Sequence, residues 1–449
     1  MNSRRLLLIN PWIADFAAFD LWAKPLGLLY IGKFLMKYGY EIELIDLLDR
    51  AKWGEKKNSN SSNGKGKYSK TIIPKPPLLS WVPRRYGLYG ATKEQFLESL
   101  SNTEVPDAIL VTSQMTYWYP GIKETVKVIR EVYPEKPIIL GGIYATFYID
   151  HAKKVISPDY LIAGYGEKKT LILLDSLFEI ERDYTYIPDF DDSGTLPWDL
   201  YSELYSVPIM TSRGCPFRCT YCATRLLHPH FFQRDPEDVI KEIVEDHDRF
   251  GVKNFAFFDD ALFANRDRHI VPILEGVIDT RANVNFHTPN GLFAREIDKY
   301  LAELMKRAGF KTIRLSLESI VLEWQKASSG KVSRENFLTA VKNLEAAGFN
   351  RSDIEVYLIM GLPGQNCNQV KESLKFVAGT GTVSRLASFS PIPGTIEWER
   401  AKEMGYVYDD IDPLLTNNTL YPCRSRDFSV EEFIELRQLS NRLNEEVRQ

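Results

Sequence analysis

No cysteine precedes Cys215 and no histidine precedes His151 in this chain of 449 residues. The opening stretch therefore offers a metal ion neither thiolate nor imidazole. Long apolar runs are also missing, and none approaches the roughly 18 residues that cross a bilayer. The run Leu6–Ile9 breaks at Asn10-Pro11, too short for a signal peptide. It predicts a first buried strand in a cytoplasmic protein with no membrane span. Dense basic blocks are absent, apart from scattered lysines near Lys65–Lys70, and formal net charge is −4. That argues against an extended nucleic-acid footprint, which needs a basic face. The five cysteines are odd in number and sit in a long chain, unlike a secreted disulfide framework.

The chain is too long for one ordinary core, and 44% hydrophobic with 26% charged residues is the composition of a globular protein. Apolar strands alternate with amphipathic stretches through the first half, which predicts an N-terminal Rossmann-like α/β domain with a doubly wound parallel sheet over 1–182. Ligands of such sheets bind at the carboxyl ends of the strands, here Asn10-Pro11, Thr112-Ser113 and Gly141-Gly142. Lys, Asn, Ser and Gly dominate Lys56 to Lys67, so a mobile loop is expected over about 52–80. Arg84-Arg-Tyr-Gly-Leu-Tyr-Gly after it is a candidate lid. A linker at 183–206 leads to six further β–α units over 207–404, which fit a partial (β/α)6 TIM-type barrel. A small helical C-terminal region, 405–449, completes the chain.

Three cysteines fall within eight residues in Ser212-Arg-Gly-Cys-Pro-Phe-Arg-Cys-Thr-Tyr-Cys, directly after a predicted strand. Cys215, Cys219 and Cys222 on one short loop suit three irons of a four-iron cluster, leaving the fourth iron open to a ligand. Structural zinc wants four closed ligands, and neither a second C-x-x-C pair nor finger spacing to His228 and His230 is present.

This C-x-x-x-C-x-aromatic-C pattern resembles the signature of the radical S-adenosylmethionine (SAM) superfamily. The likeness continues through Phe255-Ala-Phe-Phe-Asp-Asp, His287-Thr-Pro-Asn-Gly, Arg314-Leu-Ser-Leu-Glu-Ser, Leu358-Ile-Met-Gly-Leu-Pro-Gly and Phe389-Ser-Pro-Ile-Pro-Gly-Thr. Each is similar to a strand end of the subgroup with an N-terminal cobalamin-binding domain, over about Pro208 to Met404. The resemblance implies a [4Fe-4S] cluster on the three cysteines and SAM as the ligand of its open iron. It places the backbone of Tyr221 beside the adenine, Asp259 or Asp260 at the methionine ammonium, Ser316 and Glu318 at the ribose, and the backbone of Gly361 at the adenine. The plainer alternatives are a helix cap for Asp259-Asp260 and an ion pair of Glu318 with Arg314 or Lys311. Arg295 and Arg314 are weaker candidates for the methionine carboxylate.

In the first domain the resemblance runs through Pro25-Leu-Gly-Leu, Gly141-Gly-Ile-Tyr-Ala-Thr and Gly164-Tyr-Gly-Glu. Ser113-Gln-Met and Gly141-Gly142 reproduce two elements of many cobalamin-binding domains, with Met115 in place of Leu. Thr112, Ser113, Gly141 and Gly142 are thus the cobalamin candidates, and the alternative is a Rossmann remnant that holds no corrinoid. The Asp-x-His-x-x-Gly element is missing, so no imidazole lies below cobalt. The aromatic run Met115–Pro120 marks a ligand or a plain core contact.

The implied activity is reductive cleavage of SAM to a 5′-deoxyadenosyl radical, used for cobalamin-dependent methylation of an unactivated carbon. Rearrangement, cyclisation or carbon–carbon coupling is the rival. The partners implied are a small-molecule or lipid-like substrate and an external electron donor such as flavodoxin or ferredoxin. Cys367 reads as an ordinary thiol, and Cys423 as a tail residue able to reach the substrate.

Overall fold

The computed structural model describes residues 3–54, 63–426 and 428–449. The chain divides into two compact units, Met1–Tyr205 with Asp412–Leu414, and Ser206–Ile411 with Leu415–Gln449.

The first unit contains β1 (Arg5–Asn10), β2 (Ile13–Asp15), β3 (Glu41–Asp46), β4 (Lys70–Ile72), β5 (Gly87–Tyr89), β6 (Ala108–Val111), β7 (Ile138–Leu140) and β8 (Tyr160–Leu161). Five of these form a parallel sheet in the order β3-β1-β6-β7-β8. Leu6, Leu7, Leu8 and Ile9 of β1 are wholly buried, because a central parallel strand is covered on both faces. Counted along the chain, the order is second, first, third, fourth, fifth, so the winding reverses between β1 and β6. Doubly wound sheets open their ligand crevice at the carboxyl end of that switch point.

A second, antiparallel sheet of β2, β5 and β4 was not foreseen. It corrects two expectations. Within the expected loop, Lys70–Ile72 is an edge strand and Tyr68 is buried against Ile13, Leu48 and Tyr89; residues 55–62 of that loop lie outside the described residues. The supposed lid is the central strand β5, with the Tyr86 hydroxyl donating to the Ala14 carbonyl (2.7 Å) and that of Tyr89 to Phe16 (3.0 Å). The expected linker, 183–206, falls with the first unit up to Tyr205, and parts of it are packed. Trp198 is fully buried, and the Tyr201 hydroxyl donates to Asp46 at 2.8 Å.

The second unit contains β9 (Val207–Ile209), β10 (Ser212–Arg213), β11 (Phe232–Gln233), β12 (Asn254–Phe257), β13 (Asn285–His287), β14 (Leu292–Phe293), β15 (Phe310–Glu318), β16 (Ile354–Met360) and β17 (Val383–Ser388). Its main sheet runs β17-β16-β15-β13-β12-β9 with β14 beside β15, and all these pairs are parallel. Strands laid down in chain order with helices between them are those of a partial (β/α)6 barrel. The helices begin and end where local chemistry dictates. Pro236–Phe250 starts on the Asp235 cap with proline at its first position and stops on Gly251 in the left-handed region (φ 66°). Phe257, Phe286 and Phe310 stack at 4.9 and 6.0 Å beneath the rim.

The helix Val430–Arg448 packs on the helix Cys367–Gly379 and on β17, with Ser440 bonded to Ser384 at 2.8 Å. Among the described residues no helix is long and apolar enough to cross a membrane.

Candidate active site

The cysteine loop leaves β9 and is pinched at its base by the hairpin of β10 and β11. Gly214 turns it with φ 79°, and a Cβ there would press on the His230 carbonyl at 2.8 Å. Cys215 and Cys219 are half-buried, Cys222 is exposed, and all three are free thiols. The loop is held on both sides of Cys219: the Arg218 amide donates to Ser329 Oγ (2.8 Å) and the Thr220 amide to the Ala327 carbonyl (2.8 Å). Thr220 Oγ1 also donates to Glu397 (2.8 Å), a contact that sequence reasoning missed. Burial pushes the Cys215 thiol up to about 12, with Asp260, Cys219 and Cys222 adding to it. The three thiols share one eight-residue loop, and metal ligation would offset the cost of ionising them together. Among the described residues, no three His, Cys, Asp or Glu side chains sit close enough for a single ion. An open donor set of three thiols fits a cluster better than a closed zinc site.

The acidic pair after β12 splits into two different environments. Asp259 is buried and its Oδ1 is fully engaged: it accepts from the Thr211 amide (3.0 Å), Thr211 Oγ1 (2.8 Å) and Ser212 Oγ (2.5 Å), while Oδ2 shares the Thr211 amide at 3.2 Å. It braces the turn that launches the cysteine loop, not the next helix. His269 Nε2 bonds Thr211 Oγ1 at 2.8 Å, and burial lowers this imidazole to about 4, keeping it neutral. Asp260 stands at the rim with its surface exposed. Crowding by the chain pushes its carboxyl up to about 6, a Thr224 hydrogen bond pulling the other way.

Ser316 and Glu318 do not follow simple alternation. The register of β15 against β16 shifts between them, and Glu318 has φ 64°. Glu318 pairs with Lys331 at 3.2 Å, not with Arg314 or Lys311. Arg314 is buried and spent on Glu355 (2.8 Å) and Tyr357 (3.0 Å), which removes it as a carboxylate ligand. Arg295 pairs with Glu296 at 2.8 Å. Tyr221 packs on the apolar cluster of Trp324, Leu362, Phe389 and Trp398. Cys423 is in that same cluster, its thiol pushed up to about 12 by burial, with Glu397 adding to it, so it is a core residue and not a tail residue at the substrate. Cys367 is a buried thiol at the start of its helix.

Gly361 has φ 88°, and a Cβ there would meet the Phe433 ring at 2.9 Å. The close approach it permits is that of the C-terminal helix. Gly361→Ala is expected to cost about 1–3 kcal/mol from backbone strain and the displaced ring, measured as a lowered urea midpoint. A Phe433→Ala background relieves the clash part.

In the first unit, Thr112, Ser113, Gly141 and Gly142 meet at the carboxyl ends of β6 and β7. Ser113 Oγ donates to the Gly141 carbonyl (2.6 Å) and accepts from the Ala145 amide (3.3 Å), while Gly142 (φ 96°) lies against the Ser113 backbone. These two build the strand-to-helix turn. A Cβ at Gly141 would meet only the Ile162 carbonyl oxygen, at an ordinary contact distance of 3.7 Å. The aromatic run is bonded in: Trp118 Nε1 donates to Asp15 (2.7 Å), and Tyr119 stacks on Tyr144 and donates to Asp412 (3.0 Å). The His151 ring bonds the Tyr144 hydroxyl at 2.7 Å. Small residues at the carboxyl ends of β6, beside the switch point, and of its neighbour β7 fit a cofactor that lies along the backbone.

Comparison with known proteins agrees with this geometry. Residues 209–377 match the radical SAM superfamily. An uncharacterised methyltransferase of Pyrococcus horikoshii is 24% identical over 69% of this chain and 74% of its own length. The cytidylyl-2-hydroxyethylphosphonate methyltransferase of Streptomyces wedmorensis is 22% identical over 90% and 83%. The structure of the radical SAM methyltransferase TsrM from Kitasatospora setae, with cobalamin and a [4Fe-4S] cluster bound, shares the fold with a TM-score of 0.65 at 16% identity, over 90% of this chain and 76% of that one. Residues 209–377 are a radical SAM domain.

Proposed function

We propose that this enzyme methylates an unactivated carbon of a small-molecule substrate, using a [4Fe-4S] cluster, SAM and cobalamin. The observation that carries the reading is the loop of three free thiols, anchored on both sides of Cys219 at the carboxyl end of a barrel strand. When bound, the cluster supplies one electron for cleavage of SAM to methionine and a 5′-deoxyadenosyl radical, and cobalamin supplies a methyl carrier.

The chain's own groups position and shield. Cys215, Cys219 and Cys222 hold the cluster. Asp260 takes the methionine ammonium, since every donor around Asp259 is already internal. Ser316 and the Glu318 oxygen not paired with Lys331 take the ribose hydroxyls, and the Tyr221 backbone lies at the adenine. Gly361 seats Phe433, and its backbone is the second contact for the adenine. Thr112 and Gly141 present the open edge for cobalamin, with Ser113 and Gly142 shaping it. An external one-electron donor of the flavodoxin or ferredoxin kind is required.

The methyl-transfer part is tested by purification from anaerobic cells fed cobalamin. About one corrinoid per chain is expected, with the visible spectrum of a bound corrinoid. A chain that loads its cluster yet retains no corrinoid moves the function to a radical reaction without methyl transfer.

A further inference from the structure

A buried ion pair stands beside the cysteine loop, and the proposed function gives a role to its Glu318 but none to Lys331. Lys331 is only 7% exposed, and its Nζ lies 3.2 Å from Glu318 Oε1. The same ammonium sits 5.3 Å from the Phe293 ring, which in turn packs edge-on against Phe217 of the cysteine loop at 4.6 Å. Lys331 reaches this place because the chain before it is fastened to that loop: Ala327 accepts from the Thr220 amide and Ser329 from the Arg218 amide. Ser329 and Gly330 both take positive φ (61° and 58°) to deliver it. Glu318 arrives from the other side through the bulge in β15. The pair thus stands against the loop that carries the three cysteines.

A lysine taken out of water is costly unless something repays it, and one anion repays only part. We propose that Lys331 and Glu318 are a matched pair of charges that sets the reduction potential of the cluster held by Cys215, Cys219 and Cys222. This rests on the reading that these cysteines hold a [4Fe-4S] cluster. Reduction adds one electron, supplied by an external reductant, to a site whose net charge and hydrogen bonds set its potential. A fixed cation nearby favours the reduced state, and a fixed anion opposes it. In the native chain the two nearly cancel.

The test is an anaerobic redox titration of the reconstituted full-length protein without SAM, followed by electron paramagnetic resonance. It is run well above the carboxylate range so that Glu318 stays ionised. Lys331→Met is expected to lower the midpoint, making reduction at least about tenfold less favourable, or about 59 mV for one electron. Glu318→Gln is expected to raise it by a similar factor. The double variant is expected to return close to wild type, and Lys331→Arg to keep the wild-type value. Iron content identifies a variant that fails to load, and then Glu318→Gln and Lys331→Gln carry the comparison. Shifts under about threefold in both single variants overturn the proposal, as do shifts of the same sign. A wild-type chain that takes up no cluster fails the underlying reading, whereas a loaded chain indifferent to both charges fails this inference alone.

Discussion

Alanine at Cys222 is expected to empty the site of iron even though the thiol is the most exposed of the three. Each thiolate contributes a few kcal/mol if the roughly 10–16 kcal/mol of a four-ligand metal site is shared among its ligands. Losing one of three ligands then weakens retention by about a hundredfold, and a second iron is left open to solvent. Iron and sulfide per chain after anaerobic desalting should fall near background in Cys215→Ala, Cys219→Ala and Cys222→Ala alike. Cys367→Ala and Cys423→Ala are the controls, because both thiols lie outside the loop, Cys367 at the start of its helix and Cys423 in the apolar cluster on which Tyr221 packs. Iron loss in either control, or wild-type iron in any of the first three, contradicts the ligand assignment.

Asp259→Ala is expected to have nearly as large an effect without touching a ligand. One carboxylate satisfies the Thr211 amide, the Thr211 hydroxyl and the Ser212 hydroxyl, all buried. Its removal strands three donors where water does not reach. Each hydrogen bond to a charged group is worth about 1.5–3 kcal/mol, and partial recovery through His269 reduces the sum. A net loss of about 3 kcal/mol lowers the melting temperature of a unit this size by roughly 6–12 °C. Iron loading should fall with it, because the turn after β9 aims the cysteine loop. Asp259→Asn keeps one acceptor and should lose about half as much. A variant that melts like wild type while holding a full cluster would show that Asp259 braces nothing.

Which parts of this arrangement were legible from residues follows physical lines. Continuous apolar runs such as Leu6–Ile9 and Val356–Met360 announce buried parallel strands because such strands have no polar face. Asp235-Pro236 and Gly251 mark a helix at both ends. The cysteine spacing is a covalent pattern and needs no tertiary context. What escaped depends on partners far away in sequence. β2, β4 and β5 are three residues each and exist only because Ile13, Lys70 and Tyr89 meet. The bulge that turns Glu318 toward Lys331 leaves no trace in alternation. Ser-Ser-Gly-Lys at 328–331 held the only local hint of a tight turn that delivers a lysine. The same limit applies to Gly361, whose neighbour Phe433 lies on the last helix.

The most direct measurement is formation of 5′-deoxyadenosine by the anaerobically reconstituted protein given SAM and a strong reductant, beside Cys219→Ala prepared identically. A radical SAM enzyme yields 5′-deoxyadenosine and methionine in equal amounts in the wild type, and none above the no-protein blank in the variant. Equal yields from the two proteins contradict it.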